Sequence, residues 1–246
     1  MNHSFKIVGG DTDSIMFCKP DMSPFSEEEQ EALLSEINSL LPKEIKFAND
    51  GIFRRVVYVK AKNYVMEDLK GKRKIKGSAF KSSTLEPILK EMLNEFIDTL
   101  IADRILDLPA VYFKYVMMVH QITDITPWCT KKTLSATTFA SERKNETDII
   151  DAIKGSEYVE GEKVYLFADA NENWCLRERF SGSYSFDTHY EKIYKTAQRF
   201  STVIPDSKTL FPNYCLKKLQ KEHLEKLGIK NPKPEKEKKP RKKKEL

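Results

Sequence analysis

Apolar and polar positions follow a short repeat at the start of the chain and a longer one after residue 85. Residues 5–8 and 15–17 are apolar runs of strand length. Between them lie Gly9, Gly10, Asp11, Thr12, Asp13 and Ser14. This predicts a β-hairpin, with Gly9 and Gly10 giving the tight turn and Asp11 and Asp13 at or beside its tip. Ser26 followed by Glu29 is a capping box. Ala32, Leu33, Ile37, Leu40 and Leu41 then recur at helical spacing, and Pro42 closes that helix. Ile45 and Phe47 alternate with lysines and predict a strand. Asn49-Asp50-Gly51 marks a turn, residues 52–59 are β-rich, and 70–73 reads as another hairpin tip. Residues 1–81 therefore read as a largely antiparallel sheet with one packed helix.

The period lengthens beyond Ser82-Ser83-Thr84. Ile88, Leu89, Met92, Leu93, Phe96, Ile97, Leu100, Ile101 and Ile105 form one broad stripe, a helix through about residue 103. Pro87 falls in its first turn, where proline is tolerated. Further helices are predicted over 111–122, 185–203 and 214–227, and residues 135–154 are polar with helical punctuation. Lys131 to Leu134 reads as a short connector. Residues 163–168 form a strand that 174–176 can pair with across Asn171-Glu172-Asn173. The fold class is α+β.

Composition supports a folded chain: 40% of the 246 residues are hydrophobic, with 14 Phe and 10 Tyr to fill a core. No apolar run reaches membrane-spanning length, and no signal-peptide pattern opens the chain. The expectation is an intracellular protein with no membrane partner. Cys18, Cys129, Cys175 and Cys215 lack any Cys-x-x-Cys spacing, and His3, His120, His189 and His223 share no ligand spacing. The net charge of +5 is segregated. Residues 229–246 hold nine Lys and Arg against three Glu, a net of +6 in a predicted disordered tail. Residues 54–81 hold ten against Glu67 and Asp68, a net of +8, interleaved with Tyr58, Tyr64 and Phe80. Such a block suits contact with a phosphate backbone. Residues 21–50 are acidic, with a net of −6.

Asp-x-Asp in a turn is common as local structure, since aspartate favours turns. Two adjacent carboxylates also repel unless a cation neutralises them, and hard oxygen ligands favour Mg²⁺ or Mn²⁺. The full string Gly10-Asp-Thr-Asp-Ser14-Ile in a hairpin closely resembles motif C of the family B DNA polymerases. Gly9-Gly10 replaces the usual Tyr-Gly lead-in. Lys60-Ala-Lys62-Asn63-Tyr64 resembles the family's Lys-x-Tyr element. Lys74-Ile-Lys76-Gly77 through Lys81-Ser82-Ser83-Thr84 resembles the strand and helix entry that lead into the thumb, particularly in viral and phage-type members. Asp187-Thr-His-Tyr190-Glu-Lys-Ile-Tyr194 looks like a helix near the end of that domain.

The resemblance implies a palm end over 1–81, a mainly helical thumb with a small β-hairpin over 82–228, and the basic tail. It implies Asp13 as the more direct ligand of catalytic Mg²⁺, with Asp11 beside the primer end or a less direct ligand. Gly10, Thr12 and Ser14 shape the turn, the latter two with or without nucleic-acid contact. Lys62 and Tyr64 touch the new duplex, unless Tyr64 is a core aromatic and Lys62 its solvated neighbour. Lys60, Lys74, Lys76 and Lys81 are lower-rank phosphate contacts. Motif A, Asp-x-x-Ser-Leu-Tyr-Pro, is absent from the sequence. So is motif B, the Lys-x-x-x-Asn-Ser-x-Tyr-Gly helix that binds the incoming triphosphate. The chain is therefore expected to act on primer–template DNA and deoxynucleoside triphosphates only with an N-terminal polymerase part that carries those motifs. The tail is open between nonspecific nucleic-acid contact, solubility, and docking of a sliding clamp or another partner. One rival is a non-catalytic nucleic-acid-binding remnant. A nucleotide-sugar transferase also uses Asp-x-Asp, but behind an extended αβ region for which this sequence has no room.

Overall fold

The computed structural model describes residues 5–11, 13–77, 80 and 85–226. Its order is β1 (Lys6–Asp11), β2 (Ser14–Cys18), α1 (Glu27–Ser39), β3 (Phe53–Lys60), β4 (Asn63–Asp68), β5 (Arg73–Lys76), α2 (Pro87–Ile101) and α3 (Leu108–Met118). There follow β6 (Thr130–Thr133), α4 (Ala136–Ala140), α5 (Lys144–Ile153), β7 (Lys163–Ala168), β8 (Trp174–Leu176), α6 (Phe186–Ala197), α7 (Ser207–Leu210) and α8 (Leu216–Lys226). The α+β class is as expected. The strands form three antiparallel sheets, β1–β2, β3–β4–β5 and β6–β7–β8. The chain divides into two compact units, residues 1–113 with 196–207, and 114–195 with 208–246. The division does not fall at residue 82, where the sequence changes character, because α2 docks on β3.

In the first unit, α1 begins with the capping box read from sequence. Ser26 Oγ accepts from the Glu29 amide at 3.2 Å, and Glu29 Oε2 accepts from the Ser26 amide at 2.8 Å. The strand predicted at Ile45 and Phe47 does not form. The Phe47 N–H donates to Asn38 Oδ1 at 2.7 Å, and Asn38 Nδ2 donates to the Phe47 carbonyl at 3.1 Å. A side-chain amide on α1 thus satisfies the backbone groups that a neighbouring strand would otherwise pair.

The three-stranded sheet has Val59, Val65 and Met66 buried against the core. Helix α2 supplies Ile88, Leu89, Met92, Leu93, Phe96 and Ile97, all buried, as its periodicity predicts. Phe96 packs on Phe200 with ring centroids 5.2 Å apart. Pro87 sits at the start of α2, where its missing N–H is not needed. At the other end the Arg55 guanidinium donates to the Ile101 carbonyl, placing a cation at the negative end of the helix dipole.

The buried side of β4 carries a charge. Glu67 is buried, its side chain only 4% exposed. It accepts from Arg54 Nε at 2.6 Å and lies 3.4 Å from Arg73 Nε. Arg73 also pairs with Asp98 on α2. The hydrogen bond from Arg54 holds the Glu67 carboxyl below its ordinary 4.5, against the opposing effect of burial, and Arg73 adds to it. The cluster ties β3, β4, β5 and α2 together.

In the second unit, Leu134, Ile149, Ala152, Ile153, Val164, Leu166 and Leu176 form a core, with Tyr158 and Trp174 packed against it. Strand β6, Thr130–Thr133, takes up most of the stretch from Lys131 to Leu134 that the sequence reads as a connector. It pairs with β7 from Thr130 opposite Leu166 to Thr133 opposite Lys163. Its polar composition hid this, since an edge strand needs few apolar residues and lysines there protect it from further pairing. The 185–203 helix resolves into α6 and a 3₁₀ turn at Gln198–Phe200. Asp187 accepts from the Leu216 amide at 2.8 Å and from the Lys217 amide at 3.4 Å, capping α8. The four cysteines are free thiols. Among the described residues no helix is long and apolar enough to cross a membrane.

Replacing Phe96 by alanine is expected to lower the unfolding free energy by about 3–5 kcal/mol, measured by urea denaturation. The depressed Glu67 carboxyl gives stability that is complete above its ordinary 4.5 and is lost as pH falls through its lower folded value. Glu67→Gln should therefore melt below the wild type near neutrality, and the gap should narrow on acidification. Melting curves at about pH 7 and about pH 3 check both points.

Candidate functional site

The first hairpin pairs Lys6 with Cys18, Ile7 with Phe17, Gly9 with Met16, Gly10 with Ile15 and Asp11 with Ser14. β1 runs on to Asp11 and β2 begins at Ser14, so the strands extend closer to the tip than the sequence suggests. Gly9 and Gly10 lie within β1 rather than in the turn, and neither has the positive φ that favours glycine. Gly9 is required for space instead. A Cβ there would lie 2.0 Å from Tyr58 Oη and 2.5 Å from its Cζ. A register shift between Ile7 and Gly9 sets this approach.

Asp11 ends β1 and Asp13 lies in the turn, so strand alternation does not set the direction of Asp13. Both residues are exposed. Ser14 opens β2 opposite Asp11. Thr12 and Lys81 lie outside the described residues, as do Ser82, Ser83, Thr84 and the basic tail.

The Lys-x-Tyr residues form the tip and first strand of the next hairpin. Lys60 pairs with Asn63, leaving Ala61 and Lys62 as a two-residue turn with Lys62 at φ +60°. Asn63 Nδ2 donates to the Ala61 carbonyl at 2.9 Å. Gly77 closes against this turn at φ +100°. A Cβ on it would lie 2.4 Å from both Asn63 Oδ1 and the Lys62 carbonyl, so no other residue fits there.

This turn directs Lys62 to the acidic hairpin. Lys62 Nζ lies 3.3 Å from Asp11 Oδ1, with side chains 72% and 30% exposed. Tyr64 is half-buried opposite Tyr58, their centroids 5.0 Å apart. The Tyr64 ring packs against Tyr58 on the neighbouring strand. Lys60 and Lys76 are exposed. Lys74 Nζ is held by Asp50 at 2.5 Å, which keeps the Asp50 carboxyl below its ordinary value.

The structure therefore brings together Asp11, Lys62, Tyr58 and Tyr64, with Asp13 in the turn beside Asp11. The role of Tyr58 was not legible as such. Its one signal was the glycine at position 9, where the family motif carries an aromatic ring. The Glu67 cluster was also missed, since residue spacing gave no sign that three distant charges meet.

Two exposed carboxylates give oxygen donors that fit a hard divalent cation retaining several waters. The Lys62 ammonium against Asp11 shows that a positive charge is stable at that place. Among the described residues no three His, Cys, Asp or Glu side chains gather as a complete metal site.

The fold is polymerase-like. The structure of the family B DNA polymerase from the hyperthermophilic archaeon Pyrobaculum calidifontis superposes with a TM-score of 0.61 at 15% identity, over 81% of this chain and 27% of the archaeal one. A DNA polymerase of Paramecium bursaria Chlorella virus NY2A is 28% identical over 143 residues, 54% of this chain and 15% of the viral protein. The family model "DNA polymerase family B" matches residues 1–227. The chain belongs to DNA polymerase family B, and it spans a minor part of the length of these two relatives.

Proposed function

We propose that this chain carries the motif C carboxylates and part of the duplex grip of a DNA-directed DNA polymerase of viral or phage type. The observation that supports this best is the 3.3 Å approach of Lys62 to Asp11. Two motifs whose meeting residues are 51 positions apart in sequence come together, in the order and with the residue types of the family. A region bearing motifs A and B completes the centre. We read residues 1–81 as palm and 82–228 as thumb.

Asp13 and Asp11 are the residues that would hold Mg²⁺, which would stabilise the charge that develops on the transferred phosphate. The protein's own part is electrostatic and positional. Two carboxylates at a tight turn on a paired strand are held with little freedom. Lys62 neutralises Asp11 until another cation competes for it, and its exposed ammonium then turns to the phosphate or minor-groove acceptors of the primer duplex. Minor-groove acceptors are much alike in all base pairs, which suits an enzyme that holds any sequence. Lys60 and Lys76 are free to add backbone contacts, and Lys74 does so on leaving Asp50. Tyr64 supports the strand that presents Lys62. The substrates are primer–template DNA and deoxynucleoside triphosphates.

Purified alone, the chain is expected to give no primer extension. Together with a polypeptide that bears motifs A and B, extension should return and be abolished by Asp13→Ala. Equal duplex binding by wild type and variant, with no extension in any mixture, would favour a non-catalytic binding remnant. Lys62→Ala should weaken duplex binding and reduce the salt slope by about one unit. Fluorescence anisotropy across a salt series measures it, and an unchanged slope would remove Lys62 from the phosphate contacts.

A further inference from the structure

The hairpin β1–β2 and the sheet β3–β5 share no hydrogen-bonded ladder, yet the proposed site needs a residue from each. Asp11 comes from the first and Lys62 from the second. A side-chain contact must therefore set their relative placement, and the structure has one with unusual steric definition. Tyr58, on β3, reaches across with its phenol ring to β1. Its hydroxyl end fills the space that a side chain at position 9 would take. The same hydroxyl lies 3.8 Å from Met16 Sδ on β2, so the ring touches both strands of the hairpin. Its other neighbour is Tyr64, two residues from Lys62.

Gly9 is not explained by backbone conformation, since its φ is not in the left-handed region. It is explained by Tyr58, which supplies the three atoms nearest to where a Cβ would lie. A side chain at position 9 and a ring at position 58 exclude each other.

We infer that Tyr58 is a positioning residue: seated on Gly9, it sets the Asp11 hairpin against the Lys62 turn. This rests on the polymerase reading for what the site binds, though not for the contact itself. In the family pattern an aromatic ring stands at position 9. Here the glycine leaves that place open and a ring from β3 occupies it. Burial raises the Tyr58 phenol above its ordinary value, with Tyr64 and the nearby Asp11 charge adding to it, in keeping with this seat.

Three measurements on the full chain test the inference. The first is a thermal-melting cycle. Gly9→Ala should lower the melting temperature in the wild-type background, while Gly9→Ala/Tyr58→Ala should melt no lower than Tyr58→Ala alone, because the ring that alanine at 9 would strike is gone. An equal loss from Gly9→Ala in both backgrounds would overturn the contact. The second is phenol ionisation, followed by NMR of ¹³Cζ-tyrosine with Tyr58→Phe for assignment. Asp11→Asn should shift the Tyr58 titration to lower pH in the wild type and leave it unmoved in Gly9→Ala. The absence of any shift in the wild-type background would overturn the placement of Asp11 by Tyr58.

The third is Mn²⁺ binding by electron paramagnetic resonance, with all variants below their melting range. Tyr58→Ala should weaken binding several-fold, whereas Tyr58→Phe, which keeps the ring, should retain it. Equal binding by Tyr58→Ala and the wild type would overturn the positioning role. If the wild type binds no Mn²⁺, the metal reading fails, and the melting cycle still decides whether Tyr58 is seated on Gly9.

Discussion

The sheet that carries Tyr58, Lys62 and Tyr64 depends on a carboxylate taken out of water. Glu67 sits one residue from the end of β4 with Arg54 on one flank and Arg73 on the other. A lone buried carboxylate is costly, and two guanidiniums offset that cost only in one register of β3, β4 and β5. A slip of one residue would move Glu67 to the other face and leave both arginines unmatched. The further link from Arg73 to Asp98 extends the same constraint to α2. The hairpin turn at Ala61 and Lys62 is thus aimed by a sheet whose alignment is specified by charge as well as by packing.

Charge has a second role at the surface. Residues 54–81 are strongly basic, but the folded chain already matches part of that charge internally. Arg54 and Arg73 serve Glu67, Arg55 closes α2, and Lys74 is held by Asp50. Lys60, Lys62, Lys70, Lys72 and Lys76 remain exposed. Net charge along the sequence therefore overstates the cationic surface on offer to a polyanion, and the fold decides which lysines face outward.

Much of the architecture was legible because it rests on local chemistry. The capping box of α1, the apolar stripe of α2 and the 163–168 and 174–176 strands all follow from periodicity and end signals. The failures have a common cause. Residues 45–47 have the alternation of a strand, but a strand needs a partner, and Asn38 took the backbone groups instead. Residues 130–133 lack apolar content, yet β7 offers them a ladder. Gly9 and Gly10 have the composition of a turn, whereas the turn lies two residues on and Gly9 answers to a tyrosine 49 positions away. In the site, the acidic pair and the Lys-x-Tyr element were readable as motifs. Their 3.3 Å meeting and the tyrosine between them were not, since both are tertiary.

The cap on α8 bears on the order in which this protein takes shape. Asp187 lies 29 positions before Leu216, so the group that satisfies the first amides of α8 belongs to another helix. An eleven-residue segment of this length is marginal as an isolated helix in water. Its nucleation is thus tied to the arrival of α6, and in a chain emerging from the ribosome α8 would be the late recruit, assembled on a surface that already exists.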